Sequence, residues 1–134
     1  MKSKAKILVV VVLLGLMLAS CDGLQPVPSI GGVDITGVWK QQGAYTQFNE
    51  GGTYRTANTL AFLEEAPFDV GQFRLEGTSF TFISSDESWA CPGLTGSYEV
   101  ELTEQGQLQF VLQEDACEMR GIKYSAEPWD RVEP

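Results

Sequence analysis

Residues 97–113 read SYEVELTEQGQLQFVLQ, a stretch in which apolar and polar side chains alternate. Its apolar positions are Tyr98, Val100, Leu102, Leu108, Phe110 and Leu112. Strict alternation places such side chains on one face of a half-buried strand, so residues 97–102 and 107–113 are predicted strands. The intervening residues, TEQG, have the composition of a turn. The stretch therefore predicts an antiparallel β-hairpin.

The same pattern occurs twice more, earlier in the chain. Residues 72–83 alternate around an EG turn, and residues 45–56 alternate around an NEGG turn. With further strands at 36–41 and 129–132, the chain is predicted to be all-β, an antiparallel up-and-down meander of about eight strands. Such a meander removes its exposed edges by closing, or nearly closing, into a barrel. A two-sheet sandwich is the alternative, and the hairpin spacing does not separate the two.

The first 20 residues have the anatomy of a signal peptide. Lys2, Lys4 and Lys6 precede the apolar run ILVVVVLLGLML at residues 7–18. Twelve residues span only about 18 Å as a helix, whereas a bilayer core of about 30 Å needs roughly 20 apolar residues. Residues 1–20 are therefore predicted to be a cleaved signal.

The sequence Leu18-Ala19-Ser20-Cys21 follows this run and closely resembles a bacterial lipobox. The resemblance implies a lipoprotein lipidated at Cys21, with a diacylglyceryl group on the thiol and acylation, typically by palmitate, of the new amino terminus. Several acyl chains give stable membrane attachment. We therefore expect a protein of the cell envelope, lipid-anchored on the extracytoplasmic face of a bacterial membrane. Residues 21–33, rich in Pro and Gly, are predicted to be a flexible tether, and residues 34–134 the barrel domain.

Charge and cysteine content restrict the classes of partner and cofactor. Without Lys2, Lys4 and Lys6, the chain keeps six basic side chains against eighteen acidic ones, a net charge of −12. Nucleic-acid binding needs Lys and Arg to neutralise phosphates and is not expected. Cys91 and Cys117 are expected to form a disulfide in an oxidising compartment. The chain has no histidine, so no metal site and no cofactor is predicted.

Two motifs near the first barrel strand resemble the opening of small lipocalin-like domains found in bacterial secreted proteins and lipoproteins. They are Gly37-Val38-Trp39 and FNEGGTY at residues 48–54. The resemblance implies that the tryptophan packs across the closed end of a barrel, beneath an arginine from near the last strand. Gly37, Trp39 and Arg131 form the expected barrel-end set, with Arg120 as the alternative arginine.

Catalysis is not expected. Without histidine, acid and base chemistry would fall to carboxylates, and a serine or cysteine nucleophile would lack its usual partner. The acidic groupings are Glu64, Glu65 and Asp69; Asp86 and Glu87; and Glu114, Asp115 and Glu118. All fall where turns are predicted, and we interpret them as solvated loop residues. The chain is predicted not to be an enzyme.

Ligand binding is the leading functional hypothesis. An eight-stranded barrel is either filled by its own side chains or just wide enough for one small ligand. The residues expected to face inward and to contact a small apolar ligand, in or at the mouth of the barrel, are Tyr54, Phe73, Phe80, Phe82, Tyr98 and Phe110, with Val100 and Leu108 beside them. The same set would also describe a packed core.

The alternative is a protein-interaction or inhibitor module that acts through exposed loops while the interior is filled. Its best candidate is the loop at residues 84–94, in which Trp89 lies close to Cys91. A tryptophan on a constrained loop is a typical anchor for a partner. The competing interpretation is that the indole folds back onto the disulfide. In either case a monomer is expected.

Overall fold

A computed structural model describes residues 26–134 and shows an all-β domain with two short helices. The strands are β1 (Ser29–Ile30), β2 (Val33–Asp34), β3 (Gly37–Gln41), β4 (Ala44–Phe48), β5 (Thr53–Ala57), β6 (Asp69–Glu76), β7 (Ser79–Ser84), β8 (Thr95–Leu102), β9 (Leu108–Asp115) and β10 (Asp130–Val132). The helices are α1 (Phe62–Glu65) and α2 (Glu118–Tyr124). The predicted signal peptide and Cys21 lie outside these residues. Within them, no helix is long and apolar enough to cross a membrane.

Eight strands form one antiparallel sheet in the order β10-β3-β4-β5-β6-β7-β8-β9, which confirms the predicted meander. The three predicted hairpins correspond to β4–β5, β6–β7 and β8–β9. The sheet curls through 233° into a half-barrel, so it is a single curved sheet and not a two-sheet sandwich. An isolated bridge brings its two edges together at one point, where Leu108 and Trp129 exchange backbone hydrogen bonds of 3.0 and 2.7 Å. The barrel is therefore nearly, but not fully, closed.

Aromatic side chains fill the concave face of the sheet. Phe48 lies at the centre, with ring centroids 5.0 Å from Phe73 and 5.5 Å from Phe80. Trp129 stacks parallel to Phe48, with ring centroids 6.3 Å apart, and is fully buried. Leu112, predicted to face inward, is 41% exposed because β9 has no neighbouring strand on its outer side beyond the bridge at Leu108.

Residues 29–33 are ordered, although they were predicted to belong to a flexible tether. β1 and β2 form a hairpin, in which Gly31 and Gly32 adopt φ values of +56° and +83°. Two consecutive positive φ angles suit a tight hairpin turn, which glycine adopts without strain. Ile30 is 6% exposed and packs into the aromatic core. The folded region therefore begins at least five residues before the predicted boundary, because Ile30 adds apolar surface to the core.

The predicted barrel-end set lies where β3 begins. The guanidinium of Arg131 is 4.4 Å from the ring centroid of the buried Trp39 and donates a 2.9 Å hydrogen bond to the carbonyl of Thr36. Gly37 has a φ of +108°, and a Cβ atom there would lie 3.4 Å from the Arg131 side chain. Arg131 therefore occupies the position over the tryptophan. Arg120 lies elsewhere, in the network described below.

Candidate functional site

The two ends of the half-barrel differ. At the end where the chain enters β3, short turns connect β4 to β5, β6 to β7 and β8 to β9. The opposite end, which we call the open end, consists of residues 42–43, 58–68, 85–94 and 116–129. Three of these four connections are long, and they carry both helices. Loops supported by a rigid sheet are a frequent location for binding sites.

A half-open cavity of about 380 Å³ lies among these connections. Its apolar wall is made by Ala44, Phe68, Trp89, Ala90, Cys91, Met119 and Tyr124. Its polar and charged lining is made by Gln41, Asn58, Asp69, Arg120 and Lys123. All four connections, or the strand residues next to them, contribute side chains. The cavity is therefore a product of tertiary folding with no signature in any single stretch of sequence.

Beside this cavity, Arg120 is buried between two carboxylates. Its Nε and Nη2 atoms donate to the two oxygens of Asp115 at 2.8 and 2.9 Å. Its Nη1 atom donates to Ser84 Oγ at 2.5 Å and lies 3.5 Å from Asp69 Oδ2. The side chains of Arg120, Asp69 and Asp115 are only 2%, 1% and 1% exposed. We call these three residues the charge cluster.

Hydroxyl groups complete the hydrogen bonding of the charge cluster. Asp69 accepts from Ser84 at 2.8 Å, Ser88 at 2.6 Å and Tyr54 at 3.1 Å. Asp115 accepts from the hydroxyl of Tyr98 and from the backbone N–H of Cys117. A buried charge is tolerated only when it is paired and hydrogen-bonded, and this network meets that requirement.

The network corrects the interpretation of the acidic groupings. The side chains of Asp69 and Asp115 are buried, whereas the other six residues are exposed: Glu64, Glu65, Asp86, Glu87, Glu114 and Glu118. Of these six, only Asp86 and Glu87 lie in a loop, since the others belong to α1, β9 or α2. Sequence spacing did not reveal the difference because Asp69 and Arg120 are 51 positions apart. Among residues 26–134, no group of three or more His, Cys, Asp or Glu side chains has a geometry suited to a metal ion.

The charge cluster and its burial shift the pKa values of the surrounding tyrosines. Burial raises the pKa of Tyr54, Tyr98 and Tyr124 well above the ordinary value of 10.0, and the nearby carboxylates raise it further. Burial alone would lower the pKa of Arg120, but hydrogen bonds and charge from Asp115, together with Asp69, outweigh it and raise the pKa. The guanidinium therefore stays charged, and the three phenols stay protonated at neutral pH.

The predicted disulfide between Cys91 and Cys117 is present and forms part of the cavity wall. It joins the loop at residues 85–94 to the residue immediately before α2, across 26 positions of sequence. The disulfide thus joins two long connections that are also linked by a 3.2 Å hydrogen bond from Arg120 to the carbonyl of Leu94. The disulfide is also close to Arg120 along the chain, because Arg120 lies on α2 three residues after Cys117.

Trp89 projects from this constrained loop and is 84% exposed. The interpretation in which the indole folds back onto the disulfide is therefore wrong. Met119 and Ile122 on α2 are 62% and 59% exposed, so the open end presents an apolar surface to solvent. On a domain whose other tryptophans, Trp39 and Trp129, are fully buried, this exposure is exceptional.

The six predicted ligand-contacting residues do not line the cavity. Tyr54, Phe73, Phe80, Phe82, Tyr98 and Phe110 are each at most 5% exposed. Their rings contact one another, for example Phe80 and Phe82 with centroids 4.6 Å apart and Phe80 and Phe110 at 5.1 Å. They fill the interior of the half-barrel. Two of the cavity residues, Trp89 and Cys91, belong to the loop at residues 84–94 that the sequence analysis named as a candidate binding loop.

Removing one charge from the cluster should destabilise the domain. We expect Asp115→Asn to lower the free energy of unfolding by about 3 kcal/mol, because Arg120 would keep only the more distant Asp69 as a counter-charge. The measurement is urea denaturation followed by circular dichroism. Glu114→Gln, at an adjacent exposed position, is the matched control and should change the value by less than about 0.5 kcal/mol. A loss below about 1 kcal/mol for Asp115→Asn would contradict the role of the charge cluster.

The raised tyrosine pKa values predict a steep loss of stability in alkali. As the pH rises above 10, the unfolded chain releases phenolic protons that the folded chain retains, so the unfolded state is favoured. Each of the three tyrosines should lower the free energy of unfolding by about 1.4 kcal/mol per pH unit in this range. Denaturation midpoints at intervals from pH 9 to pH 11.5 measure the slope. Tyr98→Phe should reduce the slope by about a third, and a flat profile would contradict the prediction.

Comparison with known proteins gives no further assignment. No protein-family model matches the chain, and no curated protein or solved structure matches it. The geometry of the open end is therefore the basis for the functional proposal.

Proposed function

We propose that this protein is a membrane-anchored lipoprotein of the bacterial cell envelope, with a lipocalin-like domain that binds a small apolar ligand at the mouth of the barrel. The observation that carries the proposal is the half-open cavity of about 380 Å³ at the open end. Cavities that bind small molecules typically measure about 300–1,000 Å³ and have apolar walls with a few polar groups. The lining described above has this composition.

The packed interior argues against a binding site at the centre of the barrel and favours one at its mouth. Phe48, Phe73, Phe80 and Phe82 are in mutual contact, so a ligand inside the half-barrel would have to displace aromatic rings. Burial of one such ring contributes about 1.5–3 kcal/mol. Trp89 and Met119, in contrast, are already exposed to solvent and would gain apolar contact when a ligand binds.

The position of the predicted anchor supports access from the aqueous side. Ser29, where the folded region begins, is eight residues after Cys21, a separation of at most about 28 Å when fully extended. β6, β8 and β9 each have eight residues and rise about 27 Å. The chain enters the barrel at the end opposite the cavity. The predicted tether therefore attaches to the end opposite the cavity and leaves the cavity free to meet partners in the aqueous phase.

A second candidate is a protein-interaction or inhibitor module, and the 84% exposure of Trp89 favours it. Tryptophan is enriched among the residues that carry most of the binding energy at protein interfaces. The disulfide adjacent to it holds the loop, which reduces the entropy lost on binding. Both candidates use the open end and differ in the size of the partner.

Replacement of the lipidated residue tests the anchor. We expect radiolabelled palmitate to enter the full-length chain and Cys21→Ala to abolish its incorporation, because the thiol is the predicted attachment site. Ser29→Ala, an exposed position in β1, is the control and should be labelled normally. Equal labelling of Cys21→Ala and the unaltered chain would contradict the lipoprotein assignment.

Truncation of Trp89 tests the cavity. With a non-lipidated, secreted form of the chain and the neutral dye N-phenyl-1-naphthylamine, we expect saturable fluorescence enhancement. Trp89→Ala should weaken dye binding about tenfold, which corresponds to about 1.4 kcal/mol of lost contact. Val33→Ala, also at an exposed apolar side chain but in β2, is the control and should bind normally. Binding that survives Trp89→Ala and is lost in Phe73→Ala would place the ligand in the interior instead.

A further inference from the structure

We infer that the apolar group received by the cavity is a side chain of a cationic polypeptide that approaches from the aqueous phase. The inference rests on the second candidate function, the protein-interaction module, because both place a polypeptide at the open end, and it specifies the class of partner. Two features carry it: the extent of the exposed apolar surface and the distribution of charge around the cavity.

The apolar surface at the open end is larger than the cavity. Trp89 and Met119 line the cavity, yet they are 84% and 62% exposed. Ile122, which does not line it, is 59% exposed on the same helix, α2. A ligand that fits within about 380 Å³ would leave Ile122 in water. A polypeptide that inserts one side chain and lies across α2 would cover all three, which is the usual arrangement of a protein-binding patch.

Carboxylates outnumber cations around this surface. Glu65, Asp86, Glu87, Glu118 and Glu127 are exposed and lie within three residues of cavity-lining positions along the chain. None of the five forms a salt bridge among residues 26–134. A sixth carboxylate, Glu64, is already paired with Arg55 at 2.5 Å.

Fewer positive charges occupy the same region. By the same criterion, within three residues of cavity-lining positions, the exposed cations are Lys40 and Lys123. The charge cluster adds two carboxylates against the single guanidinium of Arg120. The open end is therefore net negative, in agreement with the net charge of −12 for the chain after its predicted signal. An acidic patch attracts cationic partners, raises their association rate and repels anionic amphiphiles such as fatty acids.

The test uses the full-length lipidated chain in nanodiscs of neutral phosphatidylcholine. Three capped five-residue peptides have phenylalanine at the centre and two lysines, two serines or two glutamates on each side. Trp89 fluorescence reports binding, since Trp39 and Trp129 are fully buried. We expect the lysine peptide to bind at least about tenfold more tightly than the serine peptide at low salt, and the advantage to fall as salt screens the charges.

Paired charge reversals identify where the attraction acts. The double variant Glu87→Lys with Glu118→Lys reverses two charges beside the cavity. It should lower the affinity for the lysine peptide about tenfold. Glu76→Lys with Glu101→Lys changes the net charge equally at exposed positions toward the opposite end and should change the affinity less than about threefold. Equal losses in both pairs would indicate attraction by overall charge alone and would overturn the inference.

The remaining outcomes separate this inference from the proposed function. Equal affinity for the lysine and serine peptides would retain the cavity as a binding site and reject a cationic partner. Binding of the neutral dye to the secreted form, with no response to any peptide, would also reject the polypeptide and leave a small ligand. If neither the dye nor any peptide bound, the proposed function itself would fail.

Discussion

The pairing of Arg120 with Asp69 and Asp115 is the constraint on which the open end depends. The guanidinium connects the start of β6 to the end of β9, and its bond to Ser84 adds the end of β7. Because an unpaired buried charge is costly, the positions of these elements depend on one another. α2, a helix of seven residues that is too short to be stable alone, is positioned by the same arginine.

The end of the half-barrel where the chain enters β3 is stabilised mainly by side-chain packing and has no counterpart of the charge cluster among the described residues. Arg131 covers Trp39, and the β1–β2 hairpin adds Ile30 to the aromatic core. Tight turns there leave little surface for recognition. The exposed apolar side chains and the cavity are thus confined to the open end, where the charge cluster and the disulfide hold the connections in place. This confinement is why residues that face inward are not the residues we assign to binding.

The sequence predicted those features that depend on local pattern. Alternation in residues 97–113 identified the hairpin β8–β9, and two cysteines in a predicted exported chain identified the disulfide. Features that depend on long-range contact were missed. Asp69 and Asp115 resemble solvated loop residues until Arg120 is placed between them, and the cavity is assembled from four separate connections. The pair Gly31 and Gly32 was misread because the same residues favour both a flexible linker and a tight hairpin turn.

The disulfide across the open end also has a consequence for biogenesis. If the chain is exported as we propose, its newly made precursor would lack the link between Cys91 and Cys117, because a reducing cytoplasm keeps thiols reduced. In the chain-entropy model, a loop of this length adds roughly 3 to 4 kcal/mol to stability, a large part of what a small domain possesses. Without that contribution, the precursor would spend more time unfolded, which is the state that crosses a membrane as an extended chain. Oxidation after export would then lock the mature fold and make translocation a one-way step.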